Sequence, residues 1–151
     1  MLLFLGKIQT RTLIQMTVHL KTQKKRILVV DDQPSDTQLV KRFLEGTTEY
    51  EVTEVNDALA ALSAAEQFQP HLILLDVMMP DIDGGELAVC FRANAKLKDV
   101  PIVFLTARVT KEEVDLCGGR IGVYPVLAKP IVLTELAKCL RQHLNGDLTR
   151  K

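Results

Sequence analysis

Leu72-Ile73-Leu74-Leu75-Asp76-Val77-Met78-Met79-Pro80-Asp81-Ile82-Asp83-Gly84 decides the fold. Its first four residues are continuously apolar rather than alternating, as in a strand covered on both faces, and the run stops on a carboxylate. Two other runs have this form. Ile27-Leu28-Val29-Val30 ends in Asp31-Asp32, and Ile102-Val103-Phe104-Leu105 ends in Thr106. Strands buried on both sides need crossover helices, and the intervening segments carry amphipathic stretches, so the chain is expected to be an α/β protein with a parallel sheet and these three runs at its centre. Tyr50 to Val55 alternates, and Pro125 to Leu127 is short and opens with proline; both are expected at the edges.

The helices have local reasons. Pro34 suits a first helical turn, and Leu39, Val40, Phe43 and Leu44 then form an apolar stripe closed by Gly46. Asp57 is placed to cap a second helix that buries Leu59, Leu62 and the nearby alanines, with Pro70 preventing its continuation. Leu87 and Phe91 sit four apart on a third. A fourth, near Lys111 to Cys117, is interrupted by Gly118-Gly119. Leu133, Leu136, Ala137, Leu140 and Leu144 define the face of a fifth.

A chain of 151 residues fits one domain, expected over 25–145 between a tail at 1–24 and a short tail at 146–151. No apolar run exceeds about five residues, far below the ~18 of a membrane span. Met1 to Leu5 is too short for the apolar core of a secretory signal, and Lys7 comes after it where a signal would have charge in front. Met16, just ahead of the first strand, is the expected natural start. The formal charge of zero hides an asymmetry. Residues 1–25 carry Lys7, Arg11, Lys21, Lys24 and Lys25 and no acid, so 14 basic side chains meet 19 acidic ones from residue 26 onward, a net charge of −5. Such a body is a poor match for a polyphosphate backbone, so no direct DNA binding is expected. Cys90, Cys117 and Cys139 lack CxxC spacing and indicate neither a disulfide framework nor a zinc site, which fits a cytoplasmic protein. Cys90 and Cys139 are expected as small core fillers.

In open α/β sheets the working site lies beyond the carboxyl ends of the strands. Asp31 and Asp32 stand at the end of the first run, Asp76 and Thr106 at the ends of the two other central ones, and Lys129 just past the last strand, so these five residues should converge. Carboxylates crowded there repel one another by about 4 kcal/mol per pair at ~4 Å and an effective dielectric of about 20. An all-oxygen, carboxylate-rich site suits Mg²⁺, and Lys129 adds a second positive charge. A carboxylate beside these cations, with a hydroxyl donor at Thr106, is equipped to attack a phosphoryl group and form an aspartyl phosphate.

From about Lys25 to Leu144 the chain resembles a response regulator receiver domain of the CheY-like kind. The resemblance rests on Ile27-Leu28-Val29-Val30-Asp31-Asp32, Leu75-Asp76-Val77-Met78-Met79-Pro80-Asp81-Ile82-Asp83-Gly84, Leu105-Thr106-Ala107 and Lys129-Pro130, in that order. It implies a flavodoxin-like (βα)5 sandwich with a five-stranded parallel sheet of order 2-1-3-4-5 and helices on both faces. It implies that Asp76 accepts a phosphoryl group from the phosphohistidine of a sensor histidine kinase or phosphotransfer protein. Asp32, Asp76 and the Met78 backbone carbonyl would ligate Mg²⁺, Asp31 would act mostly through water, and Thr106 and Lys129 would hold the phosphoryl oxygens. It also implies a cis bond between Lys129 and Pro130.

Signal output would come from reshaping the face made by the fourth helix, fifth strand and fifth helix, read by a downstream protein target. Here the chain departs from the family pattern. The position three before Lys129, usually an aromatic switch residue, is Val126, while Tyr124 lies two residues away on the same strand face. The receiving side is complete and the output side altered.

The leading expectation is a stand-alone signalling receiver that is not an enzyme beyond its own phosphorylation and dephosphorylation, with a homodimer left open. The alternative is a docking scaffold independent of phosphorylation, favoured by Val126 and opposed by the complete acidic site. A phosphohydrolase is disfavoured because position 78 is Met where a general acid is usual, and a dinucleotide binder because no Gly-rich loop comes after the first strand. In this family the residues two after the acceptor Asp and two after the Thr, here Met78 and Arg108, tune how fast water removes the phosphoryl group. Bulky Met78 and long Arg108 are expected to hinder water. Loss of acid-labile phosphate should therefore be faster in Met78→Asn and Arg108→Ala variants than in the wild type.

Overall fold

The computed structural model describes residues 23–107 and 109–145. The expectations for residues 1–22, for the start at Met16, for Arg108 and for 146–151 lie outside them. The elements are, in order, β1 (Lys25–Val30), α1 (Pro34–Glu45), β2 (Tyr50–Val55), a 3₁₀ turn (Ala58–Ala60), α2 (Ala61–Phe68), β3 (Leu72–Asp76), α3 (Gly84–Ala93), β4 (Ile102–Thr106), α4 (Lys111–Leu116), β5 (Arg120–Ile121), β6 (Tyr124–Ala128) and α5 (Leu133–Leu144).

The sheet has the order β2-β1-β3-β4-β6-β5. The five strands expected from the sequence are all parallel and in the expected order, with β6 in the place of the fifth. The period of two along each strand separates two cores. Leu28, Val30, Ile73, Leu75, Phe104 and Val126 face α2, α3 and α4, where they meet Ala61, Ala65, Leu87, Phe91 and Val114. Ile27, Val29, Leu72, Leu74, Val103 and Leu105 face α1 and α5, where they meet Val40, Leu44, Leu136, Cys139 and Leu140. Every residue of β3 and β4 is buried, as their unbroken apolar runs require.

The structure corrects the expected strand count. A sixth strand, β5, pairs antiparallel with β6 through Arg120 with Pro125 and Ile121 with Tyr124. Gly118, Gly119 and Gly122 all take positive φ, and Gly122 opens the two-residue turn that returns the chain. This hairpin also ends α4, whose six residues begin in a Thr110–Glu113 capping box.

Three apolar or thiol assignments are corrected too. Leu39 is exposed, because the inward row of α1 runs through Thr37, Val40 and Leu44. Leu59 is exposed because Asp57 caps a 3₁₀ turn, accepting from the Leu59 N–H at 3.0 Å, and the α-helix starts only at Ala61. Cys90 is exposed because α3 turns Leu87, Ala88 and Phe91 inward.

The outer edge of β2 is occupied by α1 side chains. The Val52 N–H donates to Glu45 Oε1 at 3.0 Å, and Lys41 Nζ donates to the Val52 carbonyl at 3.1 Å. Between α2 and β3, His71 Nδ1 accepts from the Arg26 N–H at 2.8 Å. Burial, then the charges of Arg26 and Lys25, lower its pKa from the usual 6.5. The folded state thus binds fewer protons at His71 than the unfolded chain does. Its contribution should be full above pH ~6.5 and decline as pH falls through that value toward the lower folded pKa. Subtracting the urea-unfolding stability of a His71→Gln variant from that of the wild type should give a difference that shrinks on acidification.

Candidate functional site

The parallel register sets where the chain turns out of the sheet. Val30 lies beside Leu75, Asp76 beside Leu105, and Thr106 beside Ala128, so Asp31, Asp76, Thr106 and Lys129 emerge along one rim. Asp31 is fully buried. Its Oδ1 accepts from the Gln33 N–H at 3.0 Å, and its carbonyl accepts from Asn56 Nδ2 at 2.8 Å. The same Asn56 amide donates to Thr37 Oγ1 at 3.0 Å, tying the loop after β2 to α1. Asp76 is 3% exposed, and its Oδ1 accepts from the Met78 N–H at 3.1 Å. Thr106 is buried beside it on β4.

Lys129 completes the group. Its Nζ lies 2.5 Å from Asp31 Oδ2, 3.0 Å from Asp36 Oδ2 and 3.4 Å from Asp76 Oδ2, and its backbone N–H donates to the Thr106 carbonyl at 2.8 Å. The peptide bond to Pro130 is cis. Burial acts to lower the Lys129 pKa. Hydrogen bonds to Asp31 and Asp36 and the charges of Asp31 and Asp76 outweigh it, so the ammonium stays protonated. Burial pushes the Asp76 carboxyl up to about 6; Asp31 adds to the rise, while the Met78 N–H and Lys129 oppose it.

Carboxylate oxygens of Asp31, Asp32 and Asp76 all lie within 4.8 Å of one another. Among the described residues no His or Cys shares this group. A set of hard oxygens carrying more negative charge than one ammonium can balance fits a divalent cation such as Mg²⁺.

Three contributors escape a reading of the sequence. Asp36 sits in the first turn of α1, where an acid is ordinarily explained by the helix dipole. Asn56 gives no signal, since its role depends on β2 lying beside β1. Gly84 closes the Asp76 motif with no sign of a role of its own. Its N–H donates to the Val77 carbonyl at 2.8 Å, and a Cβ there would sit against the Asp76 carbonyl oxygen and 2.8 Å from Val77 Cα.

Of the residues expected to tune or switch the site, Met78 is 45% exposed beside Asp76. Val126 is buried opposite Phe104, and Tyr124 packs in the same cluster, on the same face. Tyr124 lies two residues farther from the site rim than Val126. Its ring meets Phe104 edge-on, with centroids 4.9 Å apart at 71°, and the Arg92 guanidinium lies 5.6 Å from its centroid.

A doubly wound parallel sheet with carboxylates, a threonine and a lysine gathered at its carboxyl rim defines a CheY-like fold and site. The profile of the response regulator receiver domain matches residues 27–141, and the chain belongs to that family, whose members act in two-component signalling. It is 33% identical over 119 residues to response regulator Rre1 of Synechocystis and 34% identical over 126 residues to the DNA-binding response regulator MtrA of Mycolicibacterium smegmatis. These alignments cover 78% and 83% of this chain but 51% and 53% of the relatives, so the chain spans about half the length of the curated relatives it matches. Among solved structures, the chemotaxis protein CheY4 of Vibrio cholerae superposes with a TM-score of 0.69 at 31% identity, covering 81% of this chain and 100% of CheY4. The receiver domain of sensor histidine kinase PA1611 from Pseudomonas aeruginosa, described with a magnesium ion coordinated in its active site cleft, superposes at 0.68 with 28% identity over 82% of this chain and 99% of its own.

Because the atoms that a Gly84 side chain would strike are backbone, they cannot swing aside. A Gly84→Ala substitution should cost about 1–3 kcal/mol in urea unfolding. It should also weaken Mg²⁺ binding at the adjoining Asp76, measured by titration calorimetry on the folded variant.

Proposed function

We propose that Asp76 accepts a phosphoryl group from the phosphohistidine of a sensor histidine kinase or phosphotransfer protein, in a Mg²⁺-dependent step, and that the change is read by a protein partner. The observation that carries this reading is the buried Asp76 carboxylate held 3.4 Å from the Lys129 ammonium and grouped with Asp31 and Asp32. Asp32, Asp76 and the Met78 carbonyl would hold the cation, with Asp31 close by. Once bound, Mg²⁺ supplies positive charge that offsets carboxylate repulsion and the charge on the phosphoryl oxygens.

The chain's own groups do the rest. An oxygen of ionised Asp76 attacks phosphorus while the P–N bond to the donor histidine breaks and its electron pair returns to the ring nitrogen. With the other ring nitrogen protonated, the imidazole leaves neutral. Lys129 and the Thr106 hydroxyl hold the phosphoryl oxygens in the product, an acyl phosphate on Asp76. The chain is a phosphoacceptor that modifies itself and is not an enzyme acting on a pool of substrates.

The output surface is the face of α4, β6 and α5. A groove of about 500 Å³ runs there past Lys111, Val114, Val126, Glu135, Cys139 and His143, with Lys111 Nζ 2.5 Å from Glu135 Oε1. Val126 stands where the family usually carries an aromatic switch residue, and Tyr124, two residues farther from the rim, packs against Phe104 and Arg92, so coupling between Thr106 and an aromatic ring on β6 would take a different form from the family's usual one. That feature favours a second reading, a docking scaffold that needs no phosphorylation. DNA binding in the longer relatives is not assigned to this chain, whose residues from 26 onward carry the net charge of −5. Among the described residues no helix is long and apolar enough to cross a membrane, and a cytoplasmic setting fits the kinase-linked role.

Incubation with Mg²⁺ and acetyl phosphate or phosphoramidate should add one phosphoryl group by intact mass, and none in an Asp76→Asn variant. Uptake that is absent from the wild type, together with no Mg²⁺ binding, would instead favour the scaffold.

A further inference from the structure

Asp36 is the one carboxylate of the cluster that the acceptor chemistry does not use. It lies in the first turn of α1, two residues after Pro34, with its backbone N–H donating to the Gln33 carbonyl at 3.1 Å. That turn carries its Oδ2 to 3.0 Å from Lys129 Nζ. Asp36 is not among the oxygens grouped within 4.8 Å as a candidate cation site. A cation held by Asp31, Asp32 and Asp76 would therefore offset their charge and leave that of Asp36 directed at the lysine.

The distances around Lys129 rank its attachments: 2.5 Å to Asp31, 3.0 Å to Asp36 and 3.4 Å to Asp76. An ammonium has three N–H donors and must share them. The hold of Asp31 at the end of β1 and of Asp36 on α1 leaves the acceptor carboxylate with the longest contact of the three. For Lys129 to grip a phosphoryl group on Asp76, the ammonium must loosen contacts it already makes, and Asp36 holds one of them.

Resting on the function proposed above, we propose that Asp36 is a positioning residue that holds the Lys129 ammonium back from Asp76, slowing phosphoryl uptake and shortening the life of the phosphorylated state. The effect is electrostatic and acts through one named partner. Charge rather than shape should decide it: Asn keeps the outline of Asp and loses the charge, whereas Glu keeps the charge.

Two measurements test this on wild type, Asp36→Asn and Asp36→Glu. The first is the rate at which an amine-acylating reagent labels Lys129, read by peptide mass without Mg²⁺ or phosphodonor. Labelling should rise about fivefold in Asp36→Asn, the scale of one partly exposed ion pair, and return toward the wild-type rate in Asp36→Glu. The second is uptake from phosphoramidate with Mg²⁺, which should also be about fivefold faster in Asp36→Asn, with slower loss of the phosphoryl group. That acceleration should vanish when Asp36→Asn is made in a Lys129→Met background. Unchanged labelling, unchanged or slower uptake, or an acceleration that survives without Lys129 would each overturn the proposal. If the wild type takes up no phosphoryl group, the proposed function falls and the effect on uptake falls with it. The labelling comparison then still decides whether Asp36 holds the lysine.

Discussion

One ammonium set among carboxylates holds this rim together. Asp31 and Asp76 are buried at the ends of neighbouring strands, and placing two such charges out of water costs several kcal/mol unless a positive partner lies within reach. Lys129 provides that partner from a third strand, two places along the sheet from Asp76 and three from Asp31. The arrangement forces β1, β3 and β6 to end at a common level, because a one-residue slip in any of them would turn its polar group to the other face of the sheet. Fold and site are thus specified by the same register. The apolar runs set which strands are central, and the polar residue that ends each run sets where it must stop.

This division decides how much of the molecule is legible in its sequence. The unbroken runs in β1, β3 and β4 are legible because burial on both faces leaves no room for alternation, and the acidic group is legible because each member directly succeeds a run. Val126 and Tyr124 can be placed on one face by counting in twos. Contributions that depend on contact between distant segments leave no such trace. Asn56 matters because β2 happens to bring it against Asp31, and Asp36 because one turn of α1 rotates it toward Lys129. Leu39 and Leu59 fit an apolar pattern and yet face water: Leu39 lies off the inward row of Thr37, Val40 and Leu44, and the 3₁₀ turn ahead of α2 delays the start of the helix on which Leu59 would be buried.

The hairpin of β5 and β6 does have a signature, although a weak one. Ile121-Gly122-Val123-Tyr124 places a glycine at the first position of a two-residue turn between apolar residues, a recognised hairpin signal. The neighbouring glycines mask it by reading as interruptions of the fourth helix, although the same residues end α4 and start the ribbon. A single cause, tolerance of positive φ, accounts for both.

That ribbon also changes which edge the sheet offers to a further strand. A parallel sheet ending at β6 would present a bare row of N–H and C=O groups, to which a strand from another molecule could add. Here the Val126 N–H already donates to the Gly119 carbonyl at 2.9 Å, Pro125 has no N–H to offer, and the short strand Arg120–Ile121 pairs with Tyr124 and Pro125. A further strand on this side would have to pair with the two residues of β5 rather than with the five of β6.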